Sequence, residues 1–149
     1  CVSDGLRIAW RAAVILVLGA ILASLIAATA SEISDYLEEK NYGQSIEDYD
    51  RYLYEGEYGE LRRALGRANP RGEEFKPYWD VADAYWCYEL YEFWQQARES
   101  GALSEEEAAA EDGGGGNSGK YRERLLHIYE NSGEQARRYI RSFAGALLP

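Results

Sequence analysis

The sequence contains no methionine, one histidine, two cysteines and three prolines, and each scarcity removes a class of function. With His127 alone, neither a multi-helix carboxylate–histidine metal site nor a serine or cysteine nucleophile with a base of its own is readily assembled. Two cysteines, Cys1 and Cys87, leave no room for a disulfide framework. They lie on either side of a long apolar run, so a membrane would keep them apart. Cys1 precedes that run, whereas a lipidated cysteine follows its signal. The missing methionine, initiator included, points to a native start that is absent here or trimmed. Cationic charge is also short. Formal net charge is -10, and residues 31–149 hold 25 acids against 14 bases. Such a surface repels nucleic acid and anionic lipid heads, and no nucleic-acid partner is expected.

One long hydrophobic run is present. Residues 12–31, AAVILVLGAILASLIAATAS, carry no charge. At ~1.5 Å per residue they span roughly the 30 Å hydrocarbon core of a bilayer. Arg7, Arg11 and Trp10 flank the start, and Glu32, Asp35, Glu38 and Glu39 follow the end. Basic flanks stay in the cytoplasm. Residues 1–11 are therefore expected to be cytoplasmic, 12–31 a transmembrane signal-anchor, and 32–149 an extracytoplasmic domain. Ala28-Thr29-Ala30 offers the competing outcome, a signal cut after Ala30 and a secreted domain. The expected location is the cell membrane, single-pass.

Beyond the anchor, helical periodicity dominates and strand-type alternation is absent. The fold class is expected to be all-α, a membrane or signal helix followed by a small helical array or bundle. The first helix is expected to run to about Lys40 and to break at Asn41-Tyr42-Gly43. Short helices follow over about 44–54 and 58–68. A long helix from near Pro77 to about Glu99 carries two apolar stripes and so belongs in the middle of the array. One stripe is Trp79, Ala82, Trp86, Leu90, Phe93 and Ala97, and the other Tyr78, Val81, Tyr85 and Tyr88. Ser104 with Glu107 forms a capping box for a helix fading at Asp112. A flexible loop is expected over 113–119, then helices from Lys120 to Glu130 and, capped by Ser132 with Gln135, to the end.

Tyr52, Gly56, Tyr58 and Ala68, within LYEGEYGELRRALGRANP, stand at the spacing of a tetratricopeptide (TPR) hairpin. The segment resembles the turn and second helix of such a unit, although Leu61 occupies a position where that family has a small residue. The resemblance implies a glycine turn covered by Tyr58 and a neighbouring helix admitted by Ala68. The whole layout is similar to that of uncharacterised, N-terminally anchored bacterial membrane proteins, which implies no activity.

Three motifs resemble chemical sites. Gly114–Lys120 fits G-x-x-x-x-G-K, but Tyr121 replaces the magnesium-holding hydroxyl and an acidic helix, not a strand, precedes it. No nucleotide is expected. Glu123, His127 and Glu130 share a helix face but lack ligands from a second helix, and Asp80 and Asp83 read as solvated surface. No catalytic residue, metal or cofactor is assigned, and the chain is read as a non-enzyme. Thirteen tyrosines and four tryptophans remain. Tyr49, Tyr52, Tyr78, Tyr85 and Tyr88 are the candidate partner-binding residues, since tyrosine keeps its hydroxyl wet while its ring makes contact. Glu89 and Glu92 beside them favour a basic or neutral partner. The function expected is a membrane-tethered protein-interaction module, the alternative an envelope glycan- or peptide-binding domain using exposed aromatics.

Overall fold

A computed structural model describes the backbone of residues 2–149, with side chains undescribed at residues 2, 39, 40, 43 and 44. Among the described residues the chain is helical, without strands. Its elements are α1 (Val2–Glu55), α2 (Tyr58–Ala68), α3 (Lys76–Glu99), α4 (Glu105–Asp112), α5 (Asn117–Glu130) and α6 (Glu134–Ala144). Two short 3₁₀ turns, Glu73–Phe75 and Gly145–Leu147, complete them. The chain divides into two units, residues 1–47 and 48–149. Cys1 lies outside the described residues.

The first unit is the helical segment over residues 2–47. The expected break at Asn41-Tyr42-Gly43 is absent, and the backbone stays helical through it. Glycine inside a helix costs only about 1 kcal/mol relative to alanine, which one continuous ladder of backbone hydrogen bonds absorbs. The Ser45 hydroxyl adds a bond to the Asn41 carbonyl at 2.8 Å.

In the second unit the last turns of α1 end at Gly56, whose φ of 74° is the left-handed geometry glycine tolerates. The Glu57 N–H closes the turn on the Tyr52 carbonyl at 2.8 Å. Helix α2 stops at Asn69, also left-handed at φ 45°, with Pro70 next. Pro77 sits in the first turn of α3, where its missing N–H costs nothing. Ser104 and Glu107 form the expected capping box on α4. Ser132 does not cap α6. Its hydroxyl instead bonds the Ile128 carbonyl at 2.6 Å, and Gly133 takes the cap position. The last turn of α5 is closed by Arg137, whose guanidinium donates to the Tyr129 and Glu130 carbonyls at 3.0 and 2.7 Å. These are carbonyls that the end of a helix leaves without internal partners.

Helix α3 is central, packed against α2, α5 and α6. Its fully buried residues are Val81, Ala82, Ala84 and Cys87. Leu61 and Leu65 from α2, Leu125 from α5 and Ile140 from α6 join them in the core, with Leu53 from the last turns of α1. The expected aromatic stripe is not the core. Of it only Ala82 is fully buried, Trp79, Trp86, Leu90 and Ala97 are half-buried, and Phe93 is 59% exposed. A helix covered on three sides puts small residues where axes come close, and large rings fill the diverging grooves beside them. Ala68 is exposed at the end of α2, so it admits no neighbouring helix.

Candidate functional site

The first unit presents an apolar surface. The helix from Ser3 to Glu38 reaches a mean hydropathy of 2.6 in its most apolar window, none of which is buried. Leu16 is 74% exposed and Trp10 72%. The helix is long and apolar enough to cross a membrane.

In the second unit the five candidate tyrosines do not form one surface. Tyr49 and Tyr78 are buried, their ring centroids 5.5 Å apart, with Phe75 edge-on to Tyr49. The Tyr78 hydroxyl donates to Asp50 at 2.6 Å. These two are core residues, which corrects their assignment as partner-binding. Surplus aromatic area on α3 is consumed by aromatic area on α1, a pairing that spacing along one helix does not reveal. Tyr52 is half-buried, with the Arg51 guanidinium over its ring at 5.2 Å.

Tyr85 and Tyr88 belong to a different group. Phe143 of α6 lies 5.4 Å from the Tyr85 ring and 5.7 Å from that of Tyr88. Tyr58 packs on both Phe143 and Tyr85, at 4.9 and 5.5 Å, and its hydroxyl pairs with Ser142 at 2.9 Å. Tyr58 therefore joins α2, α3 and α6. Tyr85 and Tyr88 stay half-buried. Burial raises the pKa of each phenol, helped by Glu89 beside Tyr85 and Glu92 beside Tyr88. Both hydroxyls stay neutral donors.

Trp86 sits at a junction rather than inside. Arg62 of α2 and Arg124 of α5 place guanidinium carbons 5.0 and 5.4 Å from its ring centroid, and Tyr121 meets it edge-on at 6.0 Å. One turn before, Asp83 is half-buried, not solvated surface. Burial raises its carboxyl pKa, and Arg124 and Arg62 pull against that shift. Asp80 is half-buried as well, its carboxylate paired with Lys76 at 2.6 Å. Glu123, His127 and Glu130 are all exposed on α5. Among the described residues no three histidine, cysteine or acidic side chains come together as a metal site.

The glycine-rich connection differs from the expected loop over 113–119. Helix α5 begins at Asn117, so Asn117, Ser118 and Gly119 are helical. The cause is Glu111. Its carboxylate accepts from the Ser118 N–H at 3.1 Å and from the Ser118 hydroxyl, supplying a negative cap to a new helix. Gln95 of α3 donates to that hydroxyl at 3.1 Å, and Ser118 is buried. Two glycines are required by contact. A Cβ on Gly119 would lie 2.5 Å from the Gly114 carbonyl oxygen, and one on Gly116 would overlap the Glu111 carboxylate. The signal was readable as an acid seven residues before a serine, but no local rule pairs residues across four glycines. Lys120 stands exposed in the first turn of α5, in a helix–loop–helix rather than after a strand.

No known family model, curated protein or solved structure matches the chain.

Proposed function

We propose that the chain is a membrane-tethered helical interaction module. Residues 12–31 cross the bilayer once, residues 1–11 are cytoplasmic, and the acidic helical domain meets another protein at the outer face. The observation that carries this reading is the Ser3–Glu38 helix, whose apolar window has no protein cover. Lipid is the solvent in which such a surface is stable. Arg7 and Arg11 on one flank against Glu32, Asp35 and Glu38 on the other support the orientation.

The contact surface in this reading is the Tyr85–Tyr88 flank of α3 beside Phe143. Half-buried rings with neutral hydroxyls make adaptable contacts, and neighbouring Glu89 and Glu92 favour a basic partner. Gly56 at positive φ and buried Tyr58 support reading the α1–α2 turn as TPR-like, while exposed Ala68 does not. The reading assigns no catalysis.

Alkaline carbonate extraction and a topology reporter fused after Pro149 test the tether. Full-length protein retained in the membrane, with an extracytoplasmic reporter, is the expected result. Release of full-length protein, or a cytoplasmic reporter, would overturn it. Release of a chain beginning at Ser31 would identify a cleaved signal instead.

A further inference from the structure

Beside the Glu111–Ser118 clasp a cleft of about 240 Å³ opens between α3, α4 and α5. Trp94 lines it from α3, Glu107 and Glu111 from α4, Gly116 from the connection, and Asn117 and Lys120 from α5. We propose that this cleft binds one ring of a neutral polyhydroxylated ligand, a single sugar unit.

The size comes first. Sites for drug-sized ligands run from about 300 Å³ upward, so this cleft holds something smaller, on the scale of one ring. Phe93 lies next to Trp94, but the two rings stand at 85° to each other. They offer no flat platform along which an extended chain of sugars could lie. The ligand is a single unit or the end of a chain.

The chemistry of the lining narrows the class. Lys120 only donates hydrogen bonds, the two carboxylates only accept, and the Asn117 amide does both. A sugar hydroxyl both donates and accepts, so this mixed set suits several hydroxyls around one ring. An anionic ligand would face Glu107 and Glu111. A simple ammonium would face Lys120 and leave its donors unused. Trp94 supplies apolar lining, which the C–H groups of a sugar ring can meet. Gly116 leaves room there that any side chain would take from Glu111.

The acceptors are also held in place before any ligand arrives. The Ser104 N–H fixes Glu107 at 2.9 Å, and Ser118 fixes Glu111. Little ordering is therefore left to be done on binding. The site is separate from the tyrosine surface and from the apolar helix, and it does not depend on either role.

The test uses the full chain in phospholipid nanodiscs, since detergents with sugar head groups would compete. Glucose, galactose and N-acetylglucosamine are titrated singly by calorimetry and saturation-transfer NMR, with glucose 6-phosphate and butylamine as charged comparators. Saturable binding of at least one neutral sugar is expected, in the millimolar range of a few polar contacts on one ring. Lys120→Met and Trp94→Leu should each weaken it about tenfold or more, with near-UV circular dichroism unchanged. Trp86→Phe should not weaken it. Should Trp94→Leu lose its fold, exposed Lys120→Met decides alone. No saturable binding of any neutral sugar overturns the proposal. So does binding unchanged in Lys120→Met, or a response confined to the phosphate or the amine.

Discussion

The Glu111 carboxylate holds both the backbone N–H and the hydroxyl of Ser118, seven residues away across a run of glycines. One side chain thereby ends α4, starts α5 and, through Ser118 and Gln95, ties both to α3. The connection is a clasp rather than a linker. Gly119→Ala should then destabilise the helical unit by about 1–3 kcal/mol, because its methyl meets a backbone carbonyl that has little freedom to move. Gly115→Ala meets nothing within 4 Å and should change stability by less than about 0.5 kcal/mol. Urea titration followed by tryptophan fluorescence would measure both. Equal effects at the two positions would show the connection to be loose.

The aromatics of α3 should rank by exposure, not by stripe. Phe93→Ala removes a ring that is 59% exposed and should cost under about 0.5 kcal/mol. Leu125→Ala removes a fully buried side chain and should cost ~2–5 kcal/mol. Trp86→Ala should fall between, near 2 kcal/mol, since it loses partial burial and two cation–π contacts of ~0.5–1 kcal/mol each. A cost above that of Leu125→Ala would place Trp86 in the core after all.

This ranking shows what was legible beforehand. Most boundaries followed from local signals: the Gly56 turn, Asn69-Pro70, Pro77, and the Ser104–Glu107 capping box. Helix number did not, since seven were expected and six stand among the described residues, the break at Asn41-Tyr42-Gly43 being absent. The central place of α3 followed from its apolar excess. Which residues fill the core did not, because that depends on how close neighbouring axes approach. Val81, Ala84 and Cys87 were overshadowed in sequence by the rings beside them. Asp83 was read as solvated surface for the same reason, since only the neighbours on α2 and α5 place Arg62 and Arg124 beside it. The Ser3–Glu38 helix was legible almost whole, because its signal is length and composition alone.

Asp83 gives a pH signature. Its folded-state pKa lies above the ordinary value of 3.8, so the folded protein holds this proton more tightly than the unfolded chain. Its contribution is fully favourable below that ordinary value and is lost as pH rises through the folded pKa. Asp83→Asn cannot ionise. The variant should gain stability relative to wild type as pH rises from about 4 toward neutrality, with the gain level at higher pH. Thermal midpoints at intervals across that range would test it. A variant that loses stability at neutral pH would mean that Arg62 and Arg124 need the charge more than burial opposes it.

Cys87 is fully buried on α3 and burial pushes its thiol pKa up. Both effects suppress the reactive thiolate. In a Cys1→Ser background, iodoacetamide should leave the folded protein unlabelled and label it only in denaturant. Labelling at the same rate in both conditions would show the α3 core open to solvent.

Four of the five candidate tyrosines should divide into two pairs. Tyr49 and Tyr78 are buried against each other, so Tyr49→Ala should cost ~3–5 kcal/mol, as for other buried large aromatics. Tyr78→Phe keeps the ring and removes the hydroxyl bond to Asp50, which should cost about 1 kcal/mol. Tyr85 and Tyr88 are half-buried against Phe143. Alanine there should cost roughly 1–2 kcal/mol and leave the protein folded. If that flank is the contact surface, Tyr85→Ala and Tyr88→Ala should release a basic partner that Tyr78→Phe retains. Because Glu89 and Glu92 adjoin the surface, the retained complex should weaken as salt rises. Capture with full-length protein in nanodiscs, at two ionic strengths, separates the cases. A partner kept by both alanine variants, each shown to be folded, would remove the Tyr85–Tyr88 flank from the interaction surface.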